Sequence, residues 1–267
     1  MNRSQWERVT RSRPCPVCGK ADWCVHVEGG TICPRTESRH RAGDAGWFHP
    51  DGEARRIHEF RSWRIPREGD DHGDQADRCF NAFNAGPARV ALAARLEVGV
   101  AALERLRVGW NVGLEAWTFP MRDARGRIVG IQHRSCADGK KRVVKGHRAG
   151  IFEPSNLDVS DRELVICEGA SDTAAALTLG LEAIGIFSSG ATRREIAARV
   201  RHNRPRHAVI VPDNDDAGRR GAEALMRALD GIVPVSIRTP PARIKDLRAW
   251  KQAGVTAGEI TEGAGRR

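Results

Sequence analysis

The stretch Leu164-Val165-Ile166-Cys167-Glu168-Gly169-Ala170-Ser171-Asp172 decides how this 267-residue chain is read. A short apolar run stops at a carboxylate and a glycine, and an alanine-rich segment follows. Four consecutive apolar residues suit a strand buried on both faces, and the alanines suit a helix packed back onto it. The same grammar recurs downstream, where Ala208-Val209-Ile210-Val211 runs into Pro212-Asp213-Asn214-Asp215-Asp216-Ala217-Gly218. Strands over Glu163–Cys167, Ala183–Phe187, His207–Val211 and Ile232–Ile237 alternate with helices over Asp172–Leu179, Arg193–His202 and Ala217–Leu229. That alternation predicts an α/β fold with a Rossmann-like, mostly parallel sheet over residues 159–267.

In open α/β sheets ligands gather at the carboxyl ends of the strands. Glu168 and Asp213 sit at two such ends, with Asp172 one turn further on. Asp213 and Asp215 are two residues apart, so in extended chain both carboxylates leave on one side and can share hard cations. Lys245-Asp246 adds an acid beyond the last strand. Taken singly, each of these acids is as readily a helix cap or a loop residue. Their convergence on one sheet edge is what carries the functional reading.

Toward the N-terminus the character changes. Residues 88–158 read as a small helical and hairpin subdomain: apolar spacing from Ala88 to Val108 suits two short helices broken at Glu97–Gly99. Trp117, Phe119 and Met121 then alternate with polar residues, and Asp123–Gly126 forms a turn. From Arg122 to Arg148 nine basic residues face only two acids, in a chain whose formal net charge is +10. Arg134, Lys140, Lys141, Arg142, Lys145 and Arg148 of this segment are expected to bind single-stranded nucleic acid and nucleotide phosphates. The alternative is a solvated charged hairpin. Residues 46–87, polar and acidic toward Asp77, read as a linker.

Residues 1–45 hold four of the seven cysteines and few aliphatics, too few for an ordinary core. Cys15-Pro16-Val17-Cys18-Gly19 is a C-x2-C knuckle, and Cys33 follows Cys18 by fifteen residues, which predicts a structural zinc site. A hairpin turn at Gly29-Gly30 would pair His26 with Cys33 and make Cys24 the diagonal neighbour. Spacing therefore leaves the fourth ligand open between Cys24 and His26. Cys79, Cys136 and Cys167 are isolated, and read as core or surface residues.

The acid set resembles the Toprim domain of bacterial-type DNA primases. Glu168-Gly169 with Asp172, Asp213 and Asp215 with Gly218, and Lys245-Asp246 match that family's three elements. Arg248 departs from it, standing where a second acid belongs. Phe119-Pro120-Met121-Arg122-Asp123 to Gly130, Gly139-Lys140-Lys141 and Gly150-Ile151-Phe152 resemble the preceding primase subdomain. Trp23-Cys24 is similar to a pair in phage and plasmid primase zinc ribbons, which favours Cys24 as the fourth ligand. The resemblance implies a primase that makes short RNA primers on single-stranded DNA from NTPs by two-metal nucleotidyl transfer. Glu168, Asp213 and Asp215 would hold Mg2+ or Mn2+, with Glu168 also a general base. Asp172 and Asp246 would support them, and Lys141 would be the active-site lysine, with Lys140 an alternative.

Several classes fall away on the sequence. With no tyrosine, the chain has no nucleophile for Toprim topoisomerase chemistry. No G-x4-G-K-[ST] loop occurs, so a partner helicase is expected to be a separate protein. Neither a membrane-span-length apolar run nor a signal-peptide core is present, and a cytoplasmic location at the nucleoid or replication fork is expected. Two readings compete with the primase: a non-catalytic RecR-like DNA-binding recombination mediator and a metal-dependent Toprim nuclease.

Overall fold

The computed structural model describes residues 6–51, 72–84, 88–143, 147–187 and 192–262. The chain divides into two compact units, Met1–Arg67 and Glu68–Arg267.

The first unit is an antiparallel sheet of β1 (Glu7–Arg8), β2 (Val25–Val27), β3 (Gly30–Cys33), β4 (His40–Arg41) and β5 (Trp47–Pro50), ordered β1-β2-β3-β5-β4. Its buried apolar cluster is Val9, Cys15, Val17, Cys18, Cys24 and Cys33. Most of that cluster is cysteine, so burial of hydrocarbon supplies little of its stability. The β2–β3 register corrects the sequence expectation. Val25 pairs with Ile32, His26 with Thr31 and Val27 with Gly30, so the turn is Glu28-Gly29, one residue earlier than expected. His26 consequently faces Thr31, its Nδ1 lying 3.4 Å from Thr31 Oγ1, and not Cys33.

The expected linker over 46–87 is corrected at both ends, while residues 52–71 and 85–87 of it lie outside the described residues. β5 pairs with β3 and β4 inside the first unit, and His72–Asn84 is a helix, α1 of the second unit. Four-residue spacing of Ala76 with Phe80, with Cys79 beside them, gives that acidic stretch an apolar stripe that its charge obscured. Ala76 and Cys79 are buried.

The second unit continues with α2 (Ala88–Leu96), α3 (Val100–Arg105), β6 (Gly109–Asn111), β7 (Ala116–Arg122), β8 (Ile128–Ser135), β9 (Lys141–Val143) and β10 (Ile151–Phe152). Then follow β11 (Glu163–Glu168), α4 (Gly169–Thr178), β12 (Glu182–Ile186), α5 (Arg193–Asn203), β13 (His207–Val211), α6 (Asp216–Leu229), β14 (Val235–Ile237), α7 (Leu247–Gln252) and α8 (Ala257–Thr261). One sheet runs β14-β13-β11-β12-β10-β7-β8-β9, with β6 paired to β7. β14, β13, β11 and β12 are mutually parallel, whereas β10 joins them to the meander by antiparallel pairing on both sides. The last strand is shorter than the expected Ile232–Ile237, because Ile232 and Val233 hydrogen-bond back to Leu229 in a turn.

Alternation along β11 fixes the layers. Val165 and Cys167 face a cluster that includes Leu92, Leu103, Ala174 and Leu247, while Leu164 and Ile166 face Ile196, Val200, Leu225 and Leu229. Each fully buried aliphatic side chain contributes roughly 1.5–3 kcal/mol, so this unit has the core the first lacks. Among the described residues no helix is long and apolar enough to cross a membrane.

Candidate active site and metal centre

In the first unit the C-x2-C knuckle forms as its spacing requires. The Cys18 amide points at Cys15 Sγ at 3.4 Å, and Gly19, at φ +70°, donates its amide to the Cys15 carbonyl at 2.8 Å. The register sets Cys24 one residue before Val25 and Cys33 one after Ile32, bringing them opposite each other with sulfurs 3.8 Å apart. Cys18 Sγ and Cys24 Sγ are 3.5 Å apart, and all four sulfurs lie within 4.8 Å of one another. Zinc–sulfur bonds of about 2.3 Å in tetrahedral geometry put sulfurs about 3.8 Å apart, so the cluster fits zinc. Without a cation the four sulfurs cannot all ionise: the Cys15 thiol donating to Cys33 raises its own pKa and holds Cys33 down, to about 4. Burial raises Cys24 to about 12. His26 is not in the cluster.

In the second unit the parallel pairing of β11 with β13 sets Cys167 beside Val211, so the acids that follow emerge together. Glu168 stands at the N-cap position of α4 yet makes no capping hydrogen bond, which leaves its carboxylate for other work. Gly169 follows at φ +78°, a conformation L side chains resist; a Cβ there would stand 3.7 Å from Lys141 Nζ. Gly218 has a different duty: a Cβ on it would lie 2.2 Å from the Asp213 carbonyl, so only glycine lets α6 start this close to the acid.

Burial, then repulsion from Asp213 and Asp215, raises the Glu168 pKa; the Asp213 amide partly offsets this. Burial, then Asp246, raises Asp213, against the pull of Lys245 and Lys141. Asp172 is 5% exposed and rises to about 7, chiefly through burial and next through Asp246. Its Oδ1 accepts from the Arg248 amide at 2.9 Å and its Oδ2 from Ser171 Oγ at 3.3 Å, which ties α4 to α7. Asp215 and Asp246 are N-caps, accepting at 2.7 Å from Gly218 and from Ala249. Each capping carboxylate keeps its other oxygen. Among the described residues only the cysteines close into a compact ligand group, so the acids frame a wider, oxygen-only site. A set of oxygen donors in which Glu168, Asp172 and Asp213 are raised by burial and by neighbouring acids suits a hard divalent cation such as Mg2+ or Mn2+.

On the meander, Arg134 pairs across strands with Lys141, so the two share a face. Burial first, then Arg134, lowers the Lys141 pKa, while Asp172 and Asp213 raise it. Burial, Arg95 and Arg248 lower Arg134, whereas Asp172 raises it. Lys140 turns instead to solvent, 3.5 Å from Asp138, and Arg142 is 3.4 Å from the same carboxylate. The expected single-sign face is thus partly neutralised: Arg127 pairs with Asp123 and Arg122 is held by the Gly126 carbonyl. Arg148 is exposed, and Lys145 lies outside the described residues.

Sequence reasoning missed three contributors. Asn214, between the paired aspartates, donates Nδ2 to the carbonyls of Pro240, Pro241 and Ile244, and its amide donates to the Lys245 carbonyl at 2.6 Å. It therefore brings Lys245-Asp246 to Asp213; its position inside the acidic motif was the available signal. Arg95 adds charge beside Arg134 from a helix with no local motif to mark it, and Arg248, which the sequence marked only as a departure from the acid pattern, adds more.

Residues 165–249 match the family model described as Toprim-like, so that stretch of the second unit has the Toprim fold. The proteins it resembles are DNA primases. A DNA primase of Halalkalibacterium halodurans is 28% identical over 138 residues, covering 48% of this chain and 22% of that protein, so the match spans less than a quarter of the relative. The primase fragment of the bacteriophage T7 primase-helicase protein is similar with TM-score 0.51 at 17% identity, covering 90% of this chain and 93% of that one. A DnaG primase catalytic domain bound to single-stranded DNA is similar with TM-score 0.54 at 15% identity, covering 70% and 76%. The chain has the fold of the primase catalytic core, and the four-cysteine cluster at its N-terminal end is of zinc-binding type.

Proposed function

We propose that the protein is a primase, making short RNA primers on single-stranded DNA from NTPs, with zinc in the first unit and Mg2+ or Mn2+ in the second. The observation that carries this is the meeting of Glu168, Asp213 and Asp215 at the carboxyl ends of adjacent parallel strands, with Lys141 beside Gly169. The bound metal would neutralise charge on the triphosphate and acidify the attacking 3′-hydroxyl. Glu168, uncapped and with a raised pKa, takes that proton. Asp213, Asp215 and Asp246 would help to hold the cation, and Asp172 holds α7 in place through the Arg248 amide. Lys141 and Arg134 hold the incoming phosphates, and the remaining basic residues, Lys140, Arg142, Lys145 and Arg148, steer template. A helicase acting as a separate partner, and a place of action at the replication fork in the cytoplasm, follow from the same reading. Residues 1–50 would serve as metal ribbon, α1 together with residues 88–158 as basic subdomain, and residues 159–267 as Toprim domain.

The test incubates full-length protein with single-stranded DNA, labelled NTPs and either metal. Labelled oligoribonucleotides are expected. Binding of DNA with no product under any metal would favour the mediator, and template cleavage would favour the nuclease.

A further inference from the structure

Four thiolates around one divalent cation leave an excess of two negative charges, and here the sulfurs are buried, with Cys18 7% and Cys24 1% exposed. A buried excess charge is costly unless a countercharge meets it. Among the described residues the cation that donates to these sulfurs is Arg35. Its Nη1 lies 3.8 Å from Cys18 Sγ and 3.7 Å from Cys24 Sγ. The guanidinium is not free to swing there. Nη1 also donates to the Asp22 carbonyl at 2.8 Å, and Nη2 donates to Asp22 Oδ1 at 2.9 Å.

That grip closes on a strained turn. Cys24 donates its amide to the Asp22 carbonyl at 2.8 Å, and Trp23 between them sits at φ +62°, uncommon for a bulky residue, with its side chain 82% exposed. Neither the strain nor the exposure of Trp23 helps the turn hold itself. Cys24 is thus delivered to the cluster by a turn that Arg35 fastens from outside while its charge faces the sulfurs.

We propose that Arg35 is a positioning residue of the metal centre, an outer-sphere partner that retains the metal by balancing the Cys18 and Cys24 thiolates and by pinning the Asp22–Cys24 turn. The two duties need a planar fork with several donors. A lysine ammonium supplies the charge as a single point and cannot reach two sulfurs and two Asp22 oxygens together. The inference rests on the zinc reading of the four cysteines, and the experiment separates the two.

The zinc-loaded full chain, with Arg35→Lys and Arg35→Met variants, is mixed with excess metallochromic chelator. Metal content is measured beforehand and release is followed by absorbance. One zinc per chain is expected in the wild type, with release slowest there, intermediate in Arg35→Lys and about ten- to hundredfold faster in Arg35→Met, the range typical of lost outer-shell partners. If Arg35→Met cannot be loaded, faster release from Arg35→Lys than from wild type still supports the assignment. Release from Arg35→Met within about twofold of wild type overturns it, as does an Arg35→Lys variant as fast as Arg35→Met, which would leave the charge with no part in retaining the metal. Absence of zinc from the wild type overturns the metal reading itself.

Discussion

The two units solve the same problem with opposite means. In the first, the buried cluster is mostly sulfur, and its five strands are each four residues or shorter. In the second, β11 is apolar on both faces and is sandwiched between two aliphatic clusters, so no ligand is needed to hold it. The difference places the metals in different roles. A metal on the cysteines would be part of the fold, whereas a carboxylate metal would relieve a repulsion that an already stable fold tolerates. A structural metal's removal should therefore unfold its unit, and a catalytic metal's removal should leave its unit standing.

The largest expected effect tests the first half of that contrast. Structural zinc contributes on the order of 10–16 kcal/mol to folding of small cysteine-ligated domains. Chelation should expose the amides of residues 6–51 to hydrogen exchange while β11 and β13 stay protected. Cys24→Ser should lose the metal and His26→Ala should keep one zinc per chain. Retention by Cys24→Ser with loss by His26→Ala would reinstate the histidine.

The second half predicts the reverse signature at the acids. Glu168→Gln and Asp213→Asn each remove a charge whose pKa is raised, that is, a charge the fold disfavours. Both variants should melt no lower than wild type without metal, yet lose at least about a thousandfold in primer synthesis, corresponding to roughly 4 kcal/mol of transition-state stabilisation. A large drop in melting temperature would mean that the acids are structural. Near-normal synthesis by either variant would remove it from the site.

Much of this arrangement was legible in the sequence because it is written locally. Val165, Cys167, Val209 and Val211 alternate with Leu164, Ile166, Ala208 and Ile210, and each run ends where a carboxylate begins, so strand and site announced each other. The four cysteines were legible too, but the choice between Cys24 and His26 turned on a one-residue register that Gly29-Gly30 left ambiguous. Helix α1 was hidden because four aspartates in and before it suggested a solvated linker, while the buried stripe of Ala76 and Cys79 is sparse. The role of Asn214 was hinted at only by its place inside the acidic motif, because its partners at Pro240, Pro241 and Ile244 are distant in sequence and no local pattern encodes a loop-to-loop contact.

Asp172 sharpens the comparison through pH. Its pKa is raised, to about 7 from an ordinary 3.8, so between those values the folded state binds the proton that the unfolded state has released. Stability from this group is therefore lost as pH rises through about 4 to 7, by up to a few kcal/mol. His133 and His147 work in the opposite direction. Burial holds both near 4, so they weaken the fold as pH falls below about 6.5. The difference between wild type and Asp172→Asn isolates the aspartate: metal-free Asp172→Asn should gain in melting temperature over wild type at pH 8 and lose that advantage as pH falls to about 4. An advantage independent of pH would show that Asp172 ionises normally.

The smallest effect concerns the basic hairpin, where neighbouring lysines should behave unlike each other. Lys141 shares its strand-pair face with Arg134 and is pulled by Asp172 and Asp213, whereas Lys140 and Arg142 both lean on Asp138. A lysine that contacts phosphate releases about one counterion, so its neutralisation should lower the salt slope of single-strand binding by about 1. Lys140 already has a carboxylate for company and should change the slope by less. Lys140→Gln is therefore expected to bind DNA almost as wild type does and to prime normally. Lys141→Gln should instead raise the NTP concentration needed for half-maximal synthesis, because the Lys141 charge interacts with the acids of the site. Equal effects from the two variants on both measurements would mean that the hairpin acts as an undifferentiated charged surface, and that the bridge from meander to acids at Lys141 has no functional content.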